Sequence, residues 1–168
     1  KPEYDEDFGS WMAPFVMAAI NTRNVHRTNA LTGFAFGKDF VYDEMVMTGP
    51  GEKGEAVARA MAQQGSGMEG DKGPRPGEGP SREERDNGFY DLVFLGVGAD
   101  GRKLAASVKG DRDPGYGSTS RMIAETALAL AADDKVAGGV WTPGAALGLA
   151  LAKRLQKNAG IAFAIEGA

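Results

Sequence analysis

The 168-residue chain has no cysteine and a single histidine, His26. Without cysteine there can be no disulfide framework, thiolate nucleophile, Cys-ligated zinc site or iron–sulfur cluster. One histidine excludes a three-histidine metal centre and a HExxH helix, and any Ser-His-Asp triad would have to use His26. Excess positive charge is missing as well. Nineteen Lys and Arg stand against 23 Asp and Glu, a net charge of −4, which leaves no electrostatic footprint for nucleic acid. Long apolar runs are absent. The longest weakly polar stretch, Pro143 to Ala152, is interrupted by Gly144 and Gly148, and a membrane span needs about 20 residues. No basic segment leads into an apolar core and a small-residue cleavage site, so no membrane span and a cytoplasmic location are expected. The first residue is Lys1, and the chain is expected to begin inside a longer protein.

Glycine is present in excess, 25 residues of 168, about twice the ordinary share. Seven of these glycines and three prolines fall between residues 65 and 88. No apolar period survives there, so this stretch reads as a flexible insert within one domain spanning 1–168.

The remaining chain is periodic. Phe15, Ala18, Ala19, Thr22, Val25 and Thr28–Asn29 predict a helix from about Ala13 to Ala30, with Ser10 near its N-cap and Gly33 ending it. Phe40 to Thr48 reads as a strand and Glu52 to Gln64 as a helix with Val57, Ala60, Met61 and Gln64 along its seam. Phe89 to Val97 and Arg102 to Lys109 form an expected hairpin through Asp100-Gly101, with Leu92 and Phe94 in register with Leu104, Ala106 and Val108. A helix from Ser118 to Ala132 carries Ile123, Thr126, Ala127 and Leu130. Thr142 caps another, opened by Pro143 and striped by Leu147, Leu151 and Leu155 to about Asn158. Ile161, Phe163 and Ile165 alternate in a last strand. This order predicts an α+β fold: a mixed, largely antiparallel sheet with helices mostly on one face.

Gly96-Val97-Gly98-Ala99-Asp100-Gly101 matches GxGxxG after a strand. A dinucleotide site also needs the third glycine to open a helix and an acidic residue about 20 positions on. The residues after Gly101 suit a returning strand better, so the hairpin is preferred.

Candidate binding residues fall in three places. Asn21, Arg23, Asn24, His26, Arg27 and Asn29 crowd the end of the first helix. Arg23 and Arg27 share a face, where two guanidiniums can hold a carboxylate or phosphate, although a solvated basic helix end complementing the helix dipole is the preferred account of them. His26 reads as a surface or packed histidine rather than a catalyst. Tyr116 and the helix start at Ser118, Thr119 and Ser120 could take an anion, or Ser118 could simply cap. Trp141 stands beside the second Gly-rich loop, Gly138 to Gly144. Asp111 and Asp113 are paired carboxylates that suit a turn better than acid–base work.

These residues also carry a family resemblance. Pro14-Phe15-Val16-Met17-Ala18, Asn24-Val25-His26-Arg27-Thr28, Val108-Lys109-Gly110-Asp111, Pro114-Gly115-Tyr116 and Gly138-Gly139-Val140-Trp141-Thr142-Pro143-Gly144-Ala145-Ala146 occur in this order, followed by Ala152-Lys153-Arg154-Leu155 and Gly160-Ile161-Ala162-Phe163. The chain thereby resembles the C-terminal part of saccharopine dehydrogenase-like oxidoreductases, whose bacterial branch includes trans-acting enoyl reductases. The resemblance is weak through residues 50–88. It implies an N-terminal Rossmann domain, absent from these residues, that binds NAD or NADP in the full-length protein. It implies that this chain is the substrate-side or dimerisation region, with no cofactor of its own. The partners implied are the missing domain, a small-molecule substrate and a second copy in a homo-oligomer. The residues expected to line a substrate cleft are Asn21, Arg23, Arg27, Tyr116, Ser118, Thr119 and Trp141, with Arg23 and Arg27 holding an anionic group; no catalytic residue is assigned. A non-catalytic dimerisation or protein-interaction module is the alternative, and a small enzyme built on His26 is a third reading.

Overall fold

The structure is a computed structural model that describes residues 1–64, 77–132 and 136–166. Its contacts divide the chain into two compact units, Lys1–Gly73 and Pro74–Ala168. Each has its own three-stranded sheet, and every strand pairing described is antiparallel. The α+β class holds. The expected single sheet is two, because the strands before and after the Gly/Pro-rich stretch pair only within their own unit.

In the first unit, β1 (Glu3–Asp5), β2 (Ser10–Pro14) and β3 (Met45–Gly49) lie in that order. Helix α1 (Ala18–Leu31) stands between β2 and β3 in sequence, and α2 (Gly51–Gln64) follows β3. Ser10 to Pro14 was expected at a helix start and is instead the central strand. Pro14 ends it, at a strand terminus where a missing N–H donor is tolerated. The half-buried side of α1 runs through Ala18, Asn21, Thr22, Val25, Thr28 and Asn29, largely the face read from the sequence. The helix closes at Gly33 (φ 72°), where the Phe34 N–H donates to the Asn29 carbonyl at 2.7 Å.

Helix α2 packs on β2 and β3. Its buried positions are Gly54 and Ala58, with Met61 half-buried; Val57 and Ala60 of the expected seam face solvent. Small size decides this. A Cβ at Gly54 would sit 1.9 Å from the Gly49 carbonyl oxygen, so only glycine admits the helix this close to the sheet. Thr48 is the extra residue of a bulge opposite Trp11–Met12, and its hydroxyl is 3.0 Å from the Trp11 carbonyl and 2.9 Å from that of Gly54.

In the second unit, α3 (Arg82–Asn87) precedes β4 (Tyr90–Val97) and β5 (Lys103–Gly110), then α4 (Gly117–Ala132), α5 (Pro143–Asn158) and β6 (Ile161–Glu166). The sheet order is β4-β5-β6. Residues 65–76 of the expected insert lie outside the described residues. Residues 82–87 within it are helical, held by a capping box: the Ser81 hydroxyl accepts from the Glu84 N–H, and the Glu84 carboxylate accepts from the Ser81 N–H.

The hairpin register is as expected, with Leu92 opposite Val108 and Phe94 opposite Ala106. The turn is longer than Asp100-Gly101 alone. Ala99, Asp100 and Gly101 are closed by the Gly98 N–H on the Arg102 carbonyl at 2.8 Å. Gly101 takes the left-handed conformation (φ 75°), as three-residue hairpin loops require. Leu151, Leu155, Ala159 and Ile161 form the core, with Val108, Met122 and Leu147 packed against them. The expected α5 stripe is therefore the buried one, despite a break in helical geometry at Gly148 (φ 51°). Among the described residues no helix is long and apolar enough to cross a membrane.

Candidate functional site

The candidate residues divide between the two units. Asn21, Arg23 and Arg27 lie on α1 in the first; Tyr116, Ser118, Thr119 and Trp141 lie in the second.

On α1, Asn21 faces inward and its side-chain amide donates to Glu44 at 2.9 Å. The other Glu44 oxygen accepts from the Tyr42 hydroxyl at 2.6 Å. Burial, and then the Glu44 carboxylate, hold the Tyr42 phenol well above its ordinary value. Sequence reasoning missed both Tyr42 and Glu44, because nothing in their spacing links them to Asn21. Asn29 is buried and both ends of its amide are paired: it donates to the Gly37 carbonyl at 2.7 Å and accepts from the Phe36 N–H at 2.8 Å. That tether brings the loop after α1 back across the helix. Phe36, Phe40 and Tyr42 line up there, and His26 packs edge-on against Phe40 with ring centroids 5.7 Å apart. His26 is exposed, with Phe40 against its ring; the sequence reading was a surface or packed histidine. Arg23 and Arg27 lie one turn apart on the exposed side of α1.

In the second unit the anion-binding helix start is answered from within. One Asp113 oxygen accepts the Gly115 and Tyr116 amides at 3.0 and 2.9 Å, and the other accepts the Gly117 amide at 2.5 Å. The Asp113 carbonyl takes the Ser118 N–H at 2.9 Å. These bonds, that to the Tyr116 N–H foremost, hold the Asp113 carboxyl below its ordinary value. Asp113, not Ser118, caps α4. Ser118 is 1% exposed and its hydroxyl lies 2.9 Å from that of Tyr90. Thr119 and Ser120 donate to the Pro114 and Gly117 carbonyls at 2.6 and 3.1 Å. The sequence left this helix start open to an anion or to simple capping, because free amides and hydroxyls are the rule there. The Asp113 carboxylate, four residues ahead of Gly117, takes the Gly117 amide of the helix and the two loop amides before it.

Tyr116 remains exposed, its ring lying over Gly79. Trp141 is partly exposed, and its indole N–H donates to the Ala137 carbonyl at 2.8 Å. Thr142 caps α5 as expected, accepting the Ala145 N–H at 3.3 Å. Asp111 and Asp113 both serve structure. Asp111 lies 3.9 Å from Arg121 and sits where a Cβ on Gly160 would fall. Sequence reasoning also missed α3 as a support for this loop: Arg112 pairs with Asp86, and the Arg85 carbonyl accepts the Asp113 N–H at 3.2 Å.

The described residues do not fit a dinucleotide at Gly96–Gly101. Gly101 closes a hairpin and β5 follows it, where a pyrophosphate would need a helix N-terminus. Among the described residues no group of three or more His, Asp or Glu is placed to hold a metal ion.

No family model matches the chain, and no solved structure matches it. Several curated proteins do. One, named "Putative trans-acting enoyl reductase Rv2449c", from Mycobacterium tuberculosis (strain ATCC 25618 / H37Rv), is 38% identical over 88% of this chain and 39% of its own length. The trans-acting enoyl reductase of Mycobacterium bovis (strain BCG / Pasteur 1173P2) is 36% identical with the same coverage. That of Mycobacterium ulcerans (strain Agy99) is 33% identical over 89% of this chain and 40% of its length. The chain thus spans about two fifths of the curated relatives it matches, and over that stretch it is a relative of proteins named trans-acting enoyl reductase.

Proposed function

We propose that this relative of the trans-acting enoyl reductases is the substrate-side part of an NAD(P)-dependent oxidoreductase of the saccharopine dehydrogenase-like kind. The observation that supports this most is the sequence relation itself, which covers nearly all of this chain and well under half of each relative. The hairpin at Gly96–Gly101 agrees with it, because a nucleotide then has to be held by a different part of a longer polypeptide. In that protein NADH or NADPH would supply hydride to an enoyl substrate; this chain's part is to bind and orient the substrate. Arg23 and Arg27, one turn apart on the exposed side of α1, are the groups suited to an anionic end of it. In the second unit, Tyr116 and Trp141 are exposed aromatic side chains suited to apolar parts of a ligand. Ser118 and Thr119 then act by shaping the turn that carries Tyr116, since both hydroxyls are engaged inside the fold.

Isothermal titration of NADH and of NADPH into the 168-residue chain tests this division of labour. The expected result is no saturable heat with either nucleotide. Saturable binding at micromolar concentration would overturn it.

A further inference from the structure

The loop after α1 joins an aromatic surface to the basic side of that helix. Asn29 is buried and gives both ends of its amide to the loop, at Gly37 and Phe36. Phe40 is thereby held as a hub, its ring centroid 5.7 Å from that of His26, 5.3 Å from Phe36 and 6.3 Å from Tyr42. His26 lies between the two kinds of group. It is exposed, three residues from Arg23 and adjacent to Arg27, and its ring meets Phe40 edge-on. Phe36 and Phe34 are 53% and 46% exposed. Among the described residues Phe34 is the one non-glycine with a positive φ, 63°, directly after Gly33 at 72°. A bulky side chain is strained in that region, where glycine is not, and such strain gathers at ligand sites.

Charge selects what such a surface takes. From residue 8 to residue 38 the chain has no Asp or Glu, and Arg23, Arg27 and Lys38 fall in that stretch. From Asp39 onward the sign changes, with Asp43 and Glu44 following within five residues. A broad partner over the rings would have to cover both signs at once. An anionic bilayer would also meet Asp39 and Asp43 and a chain of net charge −4. A slender molecule charged at one end avoids both conflicts. We infer that this surface binds a single-chain amphipathic anion, a carboxylate or phosphate carrying an apolar body. Its anionic end lies at Arg23, His26 and Arg27, where guanidiniums present paired donors to planar oxyanions. Its body runs over Phe40 and Phe36 toward the turn at Phe34, where the rings offer apolar area at little cost in side-chain order. The inference deepens, and rests on, the role proposed above for Arg23 and Arg27. It sets the apolar part of the ligand beside the charge, within the first unit.

The single histidine makes the test clean, because its ring proton signals in NMR belong to His26 alone. Sodium laurate, kept below its micelle concentration, is titrated into the 168-residue chain. A saturable shift of the His26 signals is expected, with half-saturation at about 0.1 mM or below. Acetate, which lacks the chain, and dodecyltrimethylammonium, which reverses the charge, are expected to give none. Arg23→Gln with Arg27→Gln is expected to weaken laurate about tenfold, and Phe36→Ser about fivefold. Phe34→Gly is expected to weaken it as well without lowering the melting temperature, since glycine takes that conformation unstrained. Leu149→Ser, at an 80% exposed position of the second unit, is expected to change nothing. Unchanged circular dichroism confirms that each variant is folded. No saturable shift with laurate, an equal shift with acetate or dodecyltrimethylammonium, or equal weakening by Phe36→Ser and Leu149→Ser would each overturn the inference. Cosedimentation with phosphatidylglycerol vesicles but no response to free laurate would overturn it too, and assign the rings to a lipid surface. Charge reversal at Arg23 and Arg27 that still raises a substrate KM in an extended polypeptide, while laurate gives no shift, would overturn this inference alone and leave the proposed role of the arginines standing.

Discussion

Single residues decide what the helix starts in the second unit can do. Asp113 shows how: its carboxylate fills the amide cradle at the head of α4 that the sequence offered to a ligand. Asp113→Ala is expected to lower the melting temperature, read by circular dichroism, with the loss tracing to the first turn of α4 in amide exchange. The pH dependence follows from the direction of the shifts. The carboxyls of Asp113 and Glu125 are both held low in the folded chain, the first by amide hydrogen bonds and the second by Asn158 and then Arg154. A folded value below the unfolded one stabilises fully above the unfolded value, about pH 4, and that stabilisation disappears as pH falls through the folded value. Thermal melts are therefore expected to drop steeply below pH 4. Asp113→Asn should flatten that drop, and an unchanged acid limb would contradict the assigned cap. This cap was half legible: a turn-forming Asp113 was read correctly, but its capping of Gly117 depends on the loop closing over four residues, which spacing alone does not settle.

Among the elements, those with unbroken local signals were legible. Thr142 with Pro143 fixed the start of α5, and Leu147, Leu151 and Leu155 its inward side. Alternation on both arms placed Leu92 opposite Val108. Where a tertiary contact overrides a local signal, legibility fails. Ser10-Trp11-Met12-Ala13-Pro14 resembles a capped helix start, yet it has a strand to pair with on either side. Ser81-x-x-Glu84 is a readable capping box hidden among glycines and prolines. In α2 a periodicity count favoured Val57, but the close approach to Gly49 selected Gly54 and Ala58 instead. Gly54→Ala is accordingly expected to cost about 2 kcal/mol or more in chemical denaturation, as overpacking does. Leu155→Ala, in the core of the second unit, is expected to cost about 2–5 kcal/mol. A neutral outcome at Gly54 would mean that α2 does not lie against β3 as described.

On the scale of the whole molecule, few side chains are buried and many large apolar ones are not. The buried apolar residues described are Met12, Ala13 and Ala58 in one unit and Leu151, Leu155, Ala159 and Ile161 in the other. Phe36, Val41, Leu104, Ile123 and Ile165 are all more than half exposed. Both units thus leave large apolar side chains open, and the chain spans about two fifths of the relatives it matches. The site is less legible than the fold: the seven candidate residues fall in two units, three in the first and four in the second. The most direct test uses a polypeptide extended to the length of the relatives, assayed for NAD(P)H oxidation with an enoyl substrate bearing an anionic group. Arg23→Glu with Arg27→Glu is expected to raise KM for that substrate about tenfold or more while leaving KM for the nucleotide unchanged. An unchanged substrate KM, or a nucleotide KM that rises with it, would contradict the account.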